Sequence, residues 1–248
     1  MSDTERSQQP IAPFDGSGWI TVTSEEVEAD LARGRVARSG LPHRYRQRLA
    51  TLRHDFGDGH DERRKDALRA ACDLVRAARR GEPLWGLYIE GPVGCGKTML
   101  LGALTFELCL SGSGGQNCIW RSYLDWRREV MARYGESARY FGDAPDPMDL
   151  AIEAPILAWD DLGPEAGVER RNPVISDDAY DKLRQVVSAR YVAERPTLVT
   201  SNLSLAEMRR WLGGDNVIMS RLCEGTRLVD MSGMPDLRRL DAGEKGAE

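Results

Sequence analysis

Gly91-Pro92-Val93-Gly94-Cys95-Gly96-Lys97-Thr98 decides how this chain is read. The stretch fits G-x-x-x-x-G-K-[ST], the pattern of a phosphate-cradling loop. Leu84-Trp85-Gly86-Leu87-Tyr88-Ile89 precedes it, a short apolar run suited to a buried strand. Met99-Leu100-Leu101-Gly102-Ala103-Leu104 follows it and opens an apolar helix. A loop between strand and helix is the context this motif needs. Its glycines let successive N–H groups turn inward toward phosphate oxygens. The helix N-terminus adds partial positive charge and free donors. Lys97 is expected to reach the β- and γ-phosphates, and Thr98 to place its hydroxyl on Mg²⁺. The nucleotide set is therefore Gly91, Pro92, Val93, Gly94, Cys95, Gly96, Lys97, Thr98 and Met99. Cys95 fills a permissive position, where proximity to a helix N-terminus would lower its thiol pKa.

Working outward, the 248 residues allow one large domain, or one domain with a smaller appendage. No apolar run approaches the roughly 20 residues a membrane helix needs. Met1-Ser2-Asp3-Thr4-Glu5 has neither the basic start nor the apolar stretch of a secretory signal. The five cysteines are scattered, with no C-x-x-C pair, so a reduced cytoplasm is the expected compartment. Charge is uneven within a chain of net charge −5. Residues 1–32 carry seven acids and one base, whereas residues 33–80 carry fourteen Arg/Lys and six acids. The basic block reads either as a polyanion or acidic-protein contact or as a solvated helix face.

Along the chain, residues 1–20 and 241–248 read as disordered tails. Residues 21–80 read as a helical lead-in or partner-docking region, and 81–240 as the ATPase domain. Within the lead-in, a helix is expected from Ser24, fading at Gly34, and another over 46–53. A long helix follows from Asp61 to Arg79 or Arg80, with Leu68, Ala71, Cys72, Val75 and Ala78 at helical spacing. Beyond residue 81, strands and helices alternate. Strands are expected at 117–120, 154–159, 197–200 and 228–231. Helices are expected at 124–134, 177–192, 205–211 and 217–223, with 142–149 as a loop. Such alternation argues a parallel α/β sheet.

Hydrolysis also needs a metal anchor and a group that orients water. Ile156-Leu157-Ala158-Trp159-Asp160-Asp161 is apolar and ends in acids, the Walker B pattern. Asp160 would hold the Mg²⁺ shell and Asp161 would polarise the attacking water. Thr200-Ser201-Asn202 ends the next apolar strand, and Asn202 can both donate and accept a hydrogen bond to hold a water. Ser204 is better placed to cap the following helix. Ser220-Arg221-Leu222 supplies a guanidinium that could serve ATP held by a neighbouring subunit.

Taken together, these motifs resemble the AAA+ ATPases of the DnaC/DnaI helicase-loader and IstB-like group, over about residues 39–240. The resemblance includes Gly40-Leu41-Pro42-His43-Arg44-Tyr45, Trp159-Asp160-Asp161-Leu162-Gly163 and Ala189-Arg190-Tyr191. It continues through Arg195-Pro196-Thr197-Leu198-Val199-Thr200-Ser201-Asn202 and Gly233-Met234-Pro235-Asp236-Leu237-Arg238. It implies a three-layer P-loop AAA+ fold with a parallel central sheet, a reduced C-terminal lid and a small helical N-terminal extension. It also implies that Asp160 coordinates metal, Asn202 is sensor 1 and Arg221 is an arginine finger, with Arg190 a subunit-contact or nucleotide-sensing residue. Three features depart from the wider pattern. Asp161 stands where many AAA+ proteins have Glu. Residues 222–248 are too few for the usual helical lid with its sensor 2 arginine. Cys72, His43, His54 and His60 do not make the zinc set some loaders carry.

The resemblance implies an ATP- and Mg²⁺-dependent ATPase that forms a nucleotide-dependent homo-oligomer. As a helicase loader, it would act with a replicative helicase on single-stranded DNA. The alternatives are an IstB-like ATPase paired with a transposase, and a slow-turnover nucleotide-dependent scaffold. Arg121, Tyr123, Trp126, Arg127 and Arg128 interleave cations with aromatics, as single-strand binding favours. The same spacing also suits an amphipathic helix that buries Tyr123, Trp126, Val130 and Tyr134.

Overall fold

Five strands of five residues each form one parallel sheet: β1 (Gly86–Glu90), β2 (Cys118–Ser122), β3 (Ile156–Asp160), β4 (Thr197–Ser201) and β5 (Thr226–Asp230). Their order is β2-β3-β4-β1-β5. The computed structural model describes residues 24–52, 61–111, 117–134, 144–164, 174–214 and 216–238. The tails expected at 1–20 and 241–248 lie outside the described residues.

Alternate side chains of each strand enter opposite cores. Leu87, Ile89, Ile156, Ala158 and Leu198 join one. Tyr88, Leu157, Trp159 and Val199 join the other. Both faces are covered, which is why these strands read as nearly continuous apolar runs. On the first face lie α1 (Ser24–Arg38), α2 (Asp61–Arg80) and α3 (Lys97–Cys109). On the second lie α4 (Tyr123–Tyr134), α5 (Pro147–Glu153), α6 (Asp177–Val192), α7 (Leu205–Trp211) and α8 (Val217–Cys223). The result is the expected three-layer α/β arrangement. Each large apolar side chain fully buried in these layers contributes roughly 1.5–3 kcal/mol. Among the described residues no helix is long and apolar enough to cross a membrane.

Several elements differ from expectation, each for a physical reason. The helix starting at Ser24 does not fade at Gly34 but runs to Arg38, because Val36 packs into the first core and Arg35 Nε donates to Cys109 O of α3 at 2.7 Å. Of the helix expected over 46–53, the described residues 46–52 make only a 3₁₀ turn at Leu49–Thr51. The stretch expected as a loop at 142–149 contains the start of α5. Asp146 caps it, its carboxylate accepting the Met148 N–H at 2.7 Å, and Pro147 takes the first turn.

The division expected at residue 80 does not coincide with a packing boundary. Val36, Leu41, Leu49, Leu52 and Ala67, Ala70, Ala71 and Ala78 of α2 share one core with β1 and α3. Tyr45 lies so close to Gly102 of α3 that a Cβ on that glycine would sit 2.5 Å from the Tyr45 Cβ. The basic block is also largely internally compensated. Lys65, Arg69 and Arg76 pair with acids one helical turn back on α2 (Glu62, Asp66 and Asp73), and Arg79 pairs with Glu107 of α3. Arg63 pairs with Asp230 at the end of β5. Exposed pairs of this kind add little stability, but they favour the solvated-face reading over a free polyanion surface.

Because all strands are parallel, their C-terminal ends share one edge. β4 lies between β1 and β3, so its end falls between the P-loop after β1 and the acids ending β3. An open α/β sheet binds ligands outside that edge.

Candidate nucleotide site

The P-loop leaves β1 at Glu90 and enters α3 at Lys97. Gly94 and Gly96 adopt φ of 85° and 91°, which a side chain would strain. Their backbone turn carries the loop around the α3 N-terminus. Lys97 is 6% exposed, with its ammonium held by three acceptors. It donates to Gly91 O, Pro92 O and Asn202 Oδ1, each at 2.8 Å. Burial lowers its pKa, against the opposing pull of Cys95, Asp161 and Asp160.

Asn202 joins the two halves of the site. Its Oδ1 accepts from Lys97, and its Nδ2 donates to Asp161 Oδ1 at 2.6 Å. A cation on one side and a carboxylate on the other fix the amide's orientation. Ser204, as expected, caps α7 through a reciprocal pair with Glu207, which leaves Asn202 to this role.

A second chain of bonds runs beside the first. Thr98 Oγ1 donates to Asp160 Oδ1 at 2.9 Å, and Thr200 Oγ1 donates to the same oxygen at 2.7 Å. Thr200 Oγ1 also accepts the Asp161 N–H at 2.8 Å. Thr200 therefore orients both acids, a role that no motif announces from within an apolar strand. Burial raises the Asp160 pKa, while the Thr200 and Thr98 hydrogen bonds oppose that rise. Asp161 lies at φ 58°, a left-handed conformation that Asp tolerates better than most residues. That turn brings its carboxylate to Asn202.

These groups line a cleft of about 490 Å³, ample for a nucleotide-sized ligand. Val93, Gly94, Gly96, Lys97, Thr98, Met99, Asp161, Thr200 and Asn202 form one wall. Tyr45, Gln47, Thr51, Leu52, Arg64, Leu237 and Arg238 complete it from distant parts of the chain. The Thr98 hydroxyl and Asp160 carboxylate are hard oxygen donors set side by side, a fit for Mg²⁺. Among the described residues no group of three His, Cys, Asp or Glu could hold a metal. One carboxylate and one hydroxyl suit an ion whose remaining ligands are phosphate oxygens and water.

No family model matches the chain. It is 24% identical over 216 residues to the uncharacterized protein YqaM of Bacillus subtilis (strain 168), covering 85% of this chain. It spans only 63% of that protein's length. The crystal structure of DnaI superposes with a TM-score of 0.57 at 23% identity, covering 79% of this chain and 94% of that one. The DnaC helicase loader gives 0.55 at 23% identity, covering 76% of this chain and 99% of that one. The chain shares the fold of these two structures.

Within this fold, four expectations are corrected. Arg190 is 1% exposed and cannot be a surface subunit contact. Its guanidinium donates to Ala151 O at 2.8 Å, Ala154 O at 2.7 Å, Pro196 O at 2.6 Å and Thr197 Oγ1 at 2.9 Å. It ties α5 to the start of β4. Tyr123 and Trp126 are unavailable for stacking on bases. They are 1% and 2% exposed and pack with Trp159, whose ring centroid is 6.1 Å from Tyr123 and 5.0 Å from Trp126. The amphipathic reading holds for them and for Val130, whereas Tyr134 is exposed. Cys95 is fully buried in the first core, where burial raises its thiol pKa instead of lowering it.

The arginines of the proposed DNA set differ in surroundings. Arg128 is exposed and lies 3.7 Å from Asp125. Arg127 is half-buried, and Arg121 is half-buried with its Nη1 donating to Trp120 O.

Arg221 lies at the far edge of the sheet. It bonds Ser188 Oγ, sits 6.0 Å from the Tyr191 ring centroid, and lines a cavity of about 430 Å³. Gly86, Thr197 and Thr226, the first residues of three strands, line the same cavity. A five-residue strand of roughly 16 Å separates that edge from the P-loop edge. Arg221 therefore cannot serve the P-loop of its own chain.

Proposed function

We propose that this protein is a Mg²⁺-dependent ATPase that self-associates through its nucleotide. Its likeness to the DnaI and DnaC structures supports a role as a loader of a replicative helicase onto single-stranded DNA. The observation that carries the ATPase reading is the continuous array Lys97–Asn202–Asp161 beside Thr98–Asp160–Thr200.

Lys97 and the P-loop amides bind and orient the phosphates. Thr98 and Asp160 would hold Mg²⁺, which would supply positive charge to offset that developing on the phosphoryl group. Asp161 accepts a proton from the attacking water, and Asn202 keeps that carboxylate and the Lys97 ammonium in fixed relation. The array is built before substrate arrives, so little reorganisation is needed during reaction.

The position of Arg221 supports action between subunits. A guanidinium on the edge opposite its own cleft can approach phosphate only in another copy. The exposed guanidinium of Arg128 on α4 remains suited to phosphate contact with DNA.

The test uses the full chain and two variants. Lys97→Ala and Arg221→Ala alone are each expected to lose about 100-fold or more of ATP turnover. Mixed, they should regain turnover, because one supplies a bound nucleotide and the other an intact Arg221. Turnover should also rise with protein concentration and respond to single-stranded DNA and a replicative helicase. The reading fails if the mixture stays inactive, or if the protein remains monomeric in ATP and neither DNA nor helicase alters the rate.

A further inference from the structure

At the far edge of the sheet, two side chains of α6 hold the Arg221 guanidinium. Ser188 and Tyr191 stand one helical turn apart on α6 and so share one face of it. Helix α6 packs against α8, the helix that carries Arg221. Arg221 Nη1 donates to Ser188 Oγ, and its Cζ lies 6.0 Å from the centroid of the Tyr191 ring. The Tyr191 hydroxyl reaches further and donates to Glu224 Oε2 at 2.8 Å. Glu224 ends α8, where its N–H closes the last turn on Ser220 O at 2.9 Å. Tyr191 therefore meets the guanidinium with its ring and the end of the same helix with its hydroxyl. Tyr191 is 39% exposed, so it is not placed there to fill a core.

The other two arginines lining that cavity are committed differently. Arg190 gives its donors to buried carbonyls, and Arg195 Nη1 donates to Ile152 O of α5 at 2.7 Å. The partners of Arg221 among the described residues are a hydroxyl and an aromatic face, both neutral. A carboxylate partner would compete with phosphate for the guanidinium. A hydroxyl gives way to phosphate, and a ring face leaves the in-plane N–H groups free to donate.

We propose that Tyr191 is a positioning residue that holds Arg221 in the orientation from which it meets nucleotide bound in an adjacent subunit. The inference rests on the between-subunit reading of Arg221 and names the group that sets the direction of that arginine. An arginine side chain has many rotamers, and restricting them beforehand lowers the entropy lost when its phosphate contact forms. The tie from the Tyr191 hydroxyl to Glu224 fixes the ring relative to α8, so ring and guanidinium keep one relation as subunits meet.

The experiment measures ATP turnover, ATP affinity and melting temperature in the full chain. It compares wild type, Tyr191→Ala and Tyr191→Phe, with each variant also mixed with Lys97→Ala or with Arg221→Ala. Tyr191→Ala should turn ATP over about 10-fold more slowly than wild type, the scale of a lost cation–aromatic contact. Its ATP affinity should stay within about twofold of wild type, because Tyr191 is remote from the P-loop of its own chain. Its melting temperature should stay within about 3 °C, as an exposed substitution allows. Tyr191→Phe keeps the ring and should recover most of the turnover. The mixtures show on which side of the shared site Tyr191 acts. Lys97→Ala brings an intact Tyr191 and Arg221, so turnover should be regained when Tyr191→Ala is mixed with it. Mixed with Arg221→Ala, Tyr191→Ala should regain nothing, since both chains then fail on the same side. The reverse pattern overturns the inference, because Tyr191 would then serve its own cleft. Wild-type turnover by Tyr191→Ala overturns it as well, and so does a melting temperature lowered by about 10 °C or more in both Tyr191 variants, which would make the residue structural. If the mixture of Lys97→Ala with Arg221→Ala stays inactive, the between-subunit reading itself falls and takes the inference with it.

Discussion

Asp161→Asn should lower ATP turnover by about 100-fold or more, the range expected when a general base is removed. ATP affinity should stay within about threefold of wild type, because the replaced atom would face the attacking water and not the phosphate cradle. Asn is the informative substitution. Asp161 lies at φ 58°, and Asn accepts this left-handed conformation as readily as Asp. The Asn side-chain oxygen can still accept the bond that Asn202 Nδ2 now gives to Asp161 Oδ1. What is lost is the negative charge and the capacity to take a proton. Alanine would also add backbone strain and leave Asn202 Nδ2 without its acceptor, so its effect would mix structure with chemistry. Single-turnover ATP hydrolysis, with binding measured separately, checks the expectation. Equal turnover by Asp161→Asn and wild type would show that Asp161 does not act on the water.

Arg190→Met is expected to cost roughly 3–5 kcal/mol of stability, the scale for breaking a buried charged network from one side. Methionine keeps most of the apolar volume, so the loss isolates the hydrogen bonds. Ala151 O, Ala154 O, Pro196 O and Thr197 Oγ1 would lose a charged donor in a region with little access to water. Burial lowers the Arg190 pKa, yet a guanidinium remains protonated at neutral pH and keeps all its donors. The melting temperature should fall by about 10 °C or more for a chain of this size. ATP affinity at a temperature where the variant is folded should change little, since Arg190 lies at the far edge of the sheet. Calorimetric melting with an ATP titration at low temperature separates the two. An unchanged melting temperature would contradict the tie between α5 and β4.

The parts of the site legible in the sequence are those whose chemistry is local. Gly94, Gly96, Lys97 and Thr98 act within one loop, and Asp160 and Asp161 end one strand, so spacing and apolar flanks suffice to find them. Asn202 was legible because Ser204 had the better claim on the helix cap. Thr200 is not legible at its strand end, because a threonine in a strand reads as a β-branched filler until Asp160 lies beside it. Tyr45, Gln47, Arg64 and Arg238 reach the cleft only through packing between segments far apart in the chain. The Asp146-Pro147 start of α5 carried a cap signal of its own, which the surrounding Gly, Asp and Pro residues obscured. Arg190 and Trp126 show the reverse limitation. Arg190 reads as surface chemistry by residue type and Trp126 reads either as a base contact or as core, and only burial reveals that their polar atoms serve the backbone: Trp126 Nε1 donates to Pro147 O at 3.0 Å.

The central claim is that the cleft between the P-loop and the ends of β3 and β4 binds ATP. Isothermal titration of ATP with Mg²⁺ into the full chain and into Lys97→Ala tests it most directly. Lys97 gives the cleft its buried ammonium, and removing one charged donor to phosphate is worth about 2–4 kcal/mol, or roughly 30- to 1000-fold in affinity. The expected result is one ATP per wild-type chain and affinity reduced by that factor in a folded Lys97→Ala. Absence of ATP binding by wild type, or equal binding by the folded variant, would contradict the claim.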